Sequence, residues 1–142
     1  MRATKLRFED HGELIERQAA KYARPMSAWT ALEEAAFGVA MGSNGYTGLQ
    51  EAEELLAALA VPTSARVLDL GTGRGWPAWL IAREGGHHVV GMDVPVGALH
   101  LARDAFETAG AAQRTHVCAG DGSALPFVSG FFDAVTHVDV LC

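Results

Sequence analysis

The sequence predicts an α/β fold in which parallel strands alternate with helices, behind a helical extension. Three observations carry that expectation. Arg66 to Leu70 is an apolar, strand-like run that leads directly into a glycine-rich turn and then a helical stretch. Further strand-like and helix-like runs then alternate along the chain, the pattern of β–α units. The first sixty or so residues, by contrast, read as helices. The resulting division is 1–62 as a helical extension and 63–142 as the α/β domain.

Within the extension, Phe8 to Ala23 places Leu14, Ile15, Ala19 and Tyr22 on one side and Glu13, Glu16, Arg17 and Lys21 on the other, an amphipathic helix stopped by Pro25. Ser27 can cap a second helix containing Trp29, Leu32, Ala36 and Phe37. The spacing of Tyr22, Trp29 and Phe37 favours helix packing over a substrate cage. Gly42-Ser-Asn-Gly45 is a loop, and Thr47-Gly-Leu-Gln50 has the form of a capping box for a third helix through Leu59.

The glycine turn is the centre of the chemistry. Gly71, Gly73 and Gly75 stand at alternate positions, where the lack of Cβ permits positive φ and close approach of a ligand to the backbone. Pro77 suits the first turn of the helix that follows, whose free N–H groups favour a polar or anionic group. The dinucleotide fingerprint G-x-G-x-x-G fails here, because its last position is Trp76. Two more acids follow in register with later strands. His88 to Asp93 is a second strand ending in a carboxylate, placed to accept hydrogen bonds from two ribose hydroxyls. Val94-Pro95 opens a helix to about Thr108, with Leu99, Ala102, Ala105 and Phe106 on one face. Thr115 to Ala119 is a third strand, followed by Gly120-Asp-Gly-Ser-Ala-Leu-Pro-Phe127, and Gly130 to Leu141 contains a fourth.

The Asp-x-Gly-x-Gly-x-Gly pattern, the acid ending the second strand, the "GD…LPF" segment and the "FD" before the fourth strand together resemble the class I S-adenosylmethionine-dependent methyltransferases, closest to small-molecule enzymes of the quinone-biosynthesis type. The likeness covers about Thr63 to Cys142. It implies a Rossmann-like doubly wound parallel sheet, truncated after strand four, in the order 3-2-1-4. It implies S-adenosyl-L-methionine as cofactor, with Gly71, Gly73 and Gly75 around the methionine part and Asp69 near the ammonium end. Thr72 and Val94 belong to the same cofactor-binding set. Asp93 would hold the ribose, Asp121 with Gly122 the adenine, and His137 the backbone contact at the end of strand four. Tyr46 either touches cofactor or substrate as part of a lid, or covers the core. His137 and Asp139 are candidates for a general base, needed only when the acceptor must lose a proton. His137 facing solvent or a helix, and Asp139 capping the next turn, are the competing readings. Trp76-Pro77 is bulkier than is usual at that place, which would narrow the pocket mouth.

Strand four would end the sheet on an unpaired apolar edge of Val135, Val138, Val140 and Leu141. Self-association, or a partner covering that edge, follows from it as an expectation. With no turn or helix after Cys142, the chain reads as the amino-terminal part of a methyltransferase. The alternatives are a non-catalytic cofactor-binding fragment that needs a partner and, further off, a nicotinamide-dependent dehydrogenase.

Composition bounds the rest. The chain has 142 residues and a net charge of −6. An acidic chain without a basic stripe argues against nucleic acid as substrate, and the resemblance implies a small-molecule methyl acceptor. No apolar run approaches a membrane span, and Met1-Arg-Ala-Thr-Lys5 lacks a following apolar h-region, so neither a signal peptide nor a membrane span is expected and a soluble cytoplasmic protein is. Cys118 and Cys142 lack zinc spacing, and the six histidines are scattered, so no metal is implied.

Overall fold

The computed structural model describes residues 8–24, 27–38, 40–43 and 45–140. Pro25, Leu141 and Cys142, and the side chains of Leu14 and Phe37, lie outside the described residues. Three helices, α1 (Phe8–Tyr22), α2 (Ser27–Phe37) and α3 (Leu49–Ala58), precede the first strand. There follow β1 (Arg66–Leu70), α4 (Ala78–Gly85), β2 (His88–Asp93), α5 (Val96–Thr108), β3 (Thr115–Ala119) and β4 (Ala134–His137). The strands form one parallel sheet in the order β3-β2-β1-β4.

Register explains which residues share a face. Thr115, Val89, Val67 and Ala134 lie in one row across the sheet, and Val117, Gly91, Asp69 and Thr136 in the next row on the same side. Against this side pack α4 and α5, so that Val67 and Val89 join Trp79, Ile81, Ala102 and Phe106 in the core. Five consecutive residues of α4, Ala78 to Ala82, are buried, which a helix achieves only when neighbours cover most of its circumference. The face expected of α5 is observed: Leu99, Ala102 and Phe106 are buried, with Ala98 beside them and Ala105 partly covered.

Packing reverses the expectation for α2. Trp29 and Leu32 are 49% and 57% exposed, and the residue turned inward is Glu33, 3% exposed. Its carboxylate accepts hydrogen bonds from the Gly42 and Ser43 amides and the Ser43 hydroxyl at 2.9, 3.1 and 2.7 Å. A buried charge persists only with such partners. The cap of α3 also differs. Gly48, not Thr47, is the N-cap, and its amide donates to Glu51 at 3.1 Å, while the Thr47 hydroxyl is drawn to a residue beyond β4.

The fourth strand is shorter than expected. Pairing with β1 stops at His137, so Val138 and Val140 do not extend the edge, and Val140 instead folds against Gly71. Among the described residues of the expected edge set, Val135 alone stands on the observed strand, half exposed. The "FD" element has a local cause: the Arg66 amide donates to the Asp133 carboxylate at 2.7 Å and the Asp133 amide to the Arg66 carbonyl at 2.8 Å, which aligns the start of β4 with β1.

Candidate functional site

A cavity of about 510 Å³ opens at the carboxyl ends of β1, β2 and β4. That is within the size range of small-molecule and cofactor sites, and it is where ligands bind in open parallel sheets. One wall is α1, through Ile15, Gln18, Lys21 and Tyr22. Gly45 and Tyr46 form a second, Gly71 and Trp76 a third, Asp93 to Pro95 a fourth, and Val138 to Val140 close the ring.

The glycine loop divides by role. Gly71 has φ +70° and lines the cavity; its amide and that of Thr72 donate to the Met92 carbonyl, which pins the loop beside β2. Gly73 is buried at φ +55°, and its amide donates to Asp93 Oδ2 at 2.8 Å. Gly75 faces away from the cavity. A Cβ there would come within 2.8 Å of the Phe106 ring and 3.3 Å of the Ala102 backbone, so it is α5 packing that requires glycine. Thr72 likewise points inward, 2% exposed, over Gly91, whose missing Cβ leaves space for it. Gly75 and the Thr72 side chain thus serve packing and lie outside the cavity lining.

Two acids are perturbed by their surroundings. Burial raises the Asp93 carboxyl above its ordinary range, opposed by hydrogen bonds from the Gly73 and Val94 amides. Asp93 thus orders the glycine loop and also faces the cavity. Asp69 is 1% exposed. Burial, the largest effect, raises its pKa from 3.8 to about 6, against the lowering effect of the Thr136 hydroxyl, which donates to Oδ1 at 2.7 Å. The Thr72 hydroxyl also lowers the Asp69 pKa, although neither it nor Asp69 Oδ2 meets a partner at full hydrogen-bond geometry. Asp69 is thus an interior acid and not part of the cavity lining.

The remaining expected residues separate. Val94 lines the cavity. Asp121 and Gly122 are exposed in the turn after β3 and do not line it. Because Asp93 pairs with Ala119, that turn lies one strand further along the same end of the sheet. His137 is exposed and outside the cavity, in accord with the solvent-facing reading and against its use as a base. Tyr46 does not cover the core: its side chain is 91% exposed at the cavity rim. Asp139 lines the cavity. Its Oδ2 accepts from the Tyr46 amide, the Thr47 amide and the Thr47 hydroxyl at 3.0, 3.1 and 2.9 Å.

Sequence reasoning missed other parts of the site. Arg74 donates to the Tyr22 and Arg24 carbonyls at 2.8 and 3.0 Å, fastening the end of α1 to the glycine loop. Its place inside the loop motif was visible, but its partners, some fifty residues away, were not. Trp76 is buried, donates from Nε1 to the Thr47 carbonyl at 2.8 Å and packs against Trp79 with ring centroids 5.1 Å apart. Among the described residues no three His, Cys, Asp or Glu side chains converge as a metal site, and no helix is long and apolar enough to cross a membrane.

Comparison with known proteins agrees with this geometry. The family model of the methyltransferase domain matches residues 67–142. Methyltransferase GfsG of Streptomyces halstedii is 33% identical over 92 residues, which is 65% of this chain and 33% of that protein. A 24-methylenesterol C-methyltransferase 2 of Oryza sativa subsp. japonica is 32% identical over 77 residues, 54% of this chain and 21% of that one. The chain therefore spans a third or less of the length of these two relatives. A SAM-dependent methyltransferase from Geobacter sulfurreducens, solved in complex with S-adenosyl-L-homocysteine, superposes with a TM-score of 0.59 at 28% identity, covering 75% of this chain and 41% of that one. With more than half its length matched to the domain, this chain belongs to the methyltransferase domain family.

Proposed function

We propose that the chain binds S-adenosyl-L-methionine in the cavity above β1 and β2 and serves methyl transfer to a small molecule. The observation that carries this reading is the meeting of Gly71 and Asp93 on one cavity, with the Asp93 carboxylate tied to the Gly73 amide. A left-handed glycine offers backbone to a ligand at close range, and a half-buried carboxylate at the end of β2 offers acceptors for ribose hydroxyls. In this reading Gly71 and Gly73 adjoin the methionine part and Asp93 and Val94 the ribose. The adenine reaches along the sheet end toward Asp121 and Gly122. Residues 1–62 act as the cover of the domain formed by 63–142.

The sulfonium supplies an already electrophilic methyl group. What remains for the protein is to orient the acceptor and exclude water. Trp76, Tyr46 and the α1 residues Ile15 and Tyr22 give the cavity an apolar and aromatic wall suited to that task. Neither sequence candidate is placed as a free base, since His137 is outside the cavity and Asp139 is engaged by three donors. A small acceptor is supported by the cavity volume of about 510 Å³ and by the net charge of −6, which opposes nucleic-acid binding. The name of the sterol C-methyltransferase relative points the same way.

Titration calorimetry of the chain with S-adenosyl-L-homocysteine, with NADH as control, tests the proposal. Binding of the first at about micromolar Kd and none of the second is expected. Asp93→Ala should abolish that binding while circular dichroism shows the fold retained. Unchanged affinity in the variant would remove the ribose assignment, and a folded wild-type chain that ignores the ligand would overturn the cofactor reading.

A further inference from the structure

We infer that Asp139 is a latch: it ties the Tyr46 loop to the end of β4 and so governs how long a ligand stays in the cavity. The inference rests on the reading of that cavity as the cofactor site, and it assigns Asp139 a positioning role in place of the base role considered from sequence.

Four observations converge. A single carboxylate oxygen, Asp139 Oδ2, receives the amides of Tyr46 and Thr47 and the Thr47 hydroxyl, so one group gathers the turn across more than ninety residues of chain. Asp139 adopts φ +56°, a left-handed conformation uncommon outside glycine, though aspartate tolerates it better than most residues. Gly45 lies flush against this carboxylate: an added Cβ would overlap Asp139 Oδ2 and stand 2.7 Å from its Cβ. Finally, both partners of the latch line the cavity, Gly45 and Tyr46 on one side and Val138 to Val140 on the other.

Solvent exposure decides what such a contact does. All three hydrogen bonds are exposed. Hydrogen bonds open to water give small net stabilisation, and the positive φ at Asp139 opposes them. The open and closed loops therefore lie close in free energy, which suits a reversible gate and not a permanent brace. The other end of the loop is held differently. There the Thr47 carbonyl accepts from the buried Trp76 indole, and Gly42 and Ser43 are fixed by buried Glu33, so the opening involves Gly45, Tyr46 and the amide and hydroxyl of Thr47.

The test measures amide hydrogen exchange and ligand exchange on the full chain and on Asp139→Ala, Asp139→Asn and Gly45→Ala. Without any ligand, the Tyr46 and Thr47 amides should exchange about tenfold faster in Asp139→Ala. Gly45→Ala, which removes no polar group, should have the same effect, and Asp139→Asn, which keeps an acceptor oxygen, a smaller one. With S-adenosyl-L-homocysteine, stopped-flow fluorescence of Trp76 at the cavity wall should show faster dissociation in both alanine variants. Unchanged amide exchange in Asp139→Ala overturns the latch. Faster amide exchange with unchanged ligand dissociation overturns its role in retention. Ligand loss in Asp139→Ala with wild-type behaviour in Gly45→Ala would mean that Asp139 contacts the ligand directly, which also overturns the positioning role. If the wild-type chain binds no ligand, the cofactor reading falls, while the amide exchange still decides whether the latch exists.

Discussion

Asp69 offers a test in which the pH dependence is fixed by the structure. Asp69→Asn removes the charge and keeps an acceptor for the Thr136 hydroxyl at Oδ1. In the folded chain burial raises the carboxyl from 3.8 to about 6. Between those two values the folded state holds more protons than the unfolded state, so stability decreases as pH rises through the window, and the loss is complete above about pH 6. A shift of roughly two units corresponds to ~3 kcal/mol at full ionisation. At about pH 4.5 the same linkage leaves a penalty of only ~1 kcal/mol. The variant carries no such penalty at either pH. Its new amide donor, in the place of the unpartnered Oδ2, adds a cost of ~1–3 kcal/mol if it finds no acceptor, but that cost is independent of pH. The quantity to measure is therefore the difference between variant and wild type at the two pH values. It should shift in favour of the variant by ~2 kcal/mol from about pH 4.5 to about pH 7.5. Urea unfolding followed by circular dichroism reads this as about 1 M in the relative midpoints. A stability difference that is the same at both pH values would refute the assignment of Asp69 as a charge buried at a cost.

Two further substitutions separate packing from ligand contact within the glycine loop. Gly75→Ala must place a methyl against Phe106 and Ala102 at φ +97°, which should cost ~2–4 kcal/mol and lower the melting temperature by roughly 10 °C; the ligand affinity of the folded fraction should stay unchanged, and an affinity loss without a stability loss would restore the direct ligand role. Arg74→Met should release the end of α1, costing that helix ~1–2 kcal/mol of local stability, seen as faster amide exchange in residues 15–22 with little change in the global melt. Equal protection in wild type and variant would show that α1 is held by its packing on α5 instead.

The four strands and the helices between them were legible in the sequence because each follows from local pattern. A run such as Val67-Leu-Asp-Leu70 reads as buried on both faces, and glycines at 71, 73 and 75 mark the turn that ends it. The order of the sheet and the family came from the ordered series of acids after β1, β2 and β3, a signal carried by sequence position. Asp93 and Gly71, which share the cavity wall, were legible for the same reason: both stand at strand ends, where a parallel sheet gathers its loops.

What local pattern could not decide was the partner of each polar group. Trp29 and Leu32 have the spacing of a buried face, yet Glu33 turns inward, because two loop amides and a hydroxyl from residues 42 and 43 are there to meet it. Thr47 has the sequence of an N-cap and yields that place to Gly48, because Asp139 competes for its hydroxyl from the far side of the sheet. Gly75 matches a ligand motif and serves a helix contact, since only the docking of α5 shows what its missing Cβ would strike. In this chain the sequence determined the elements and the acids at their ends, through propensity, periodicity and turn chemistry that act over a few residues. The tertiary structure alone decided which of those groups face the cavity and which are spent on packing, because hydrogen-bond partners and close contacts are set by distance in space and not along the chain.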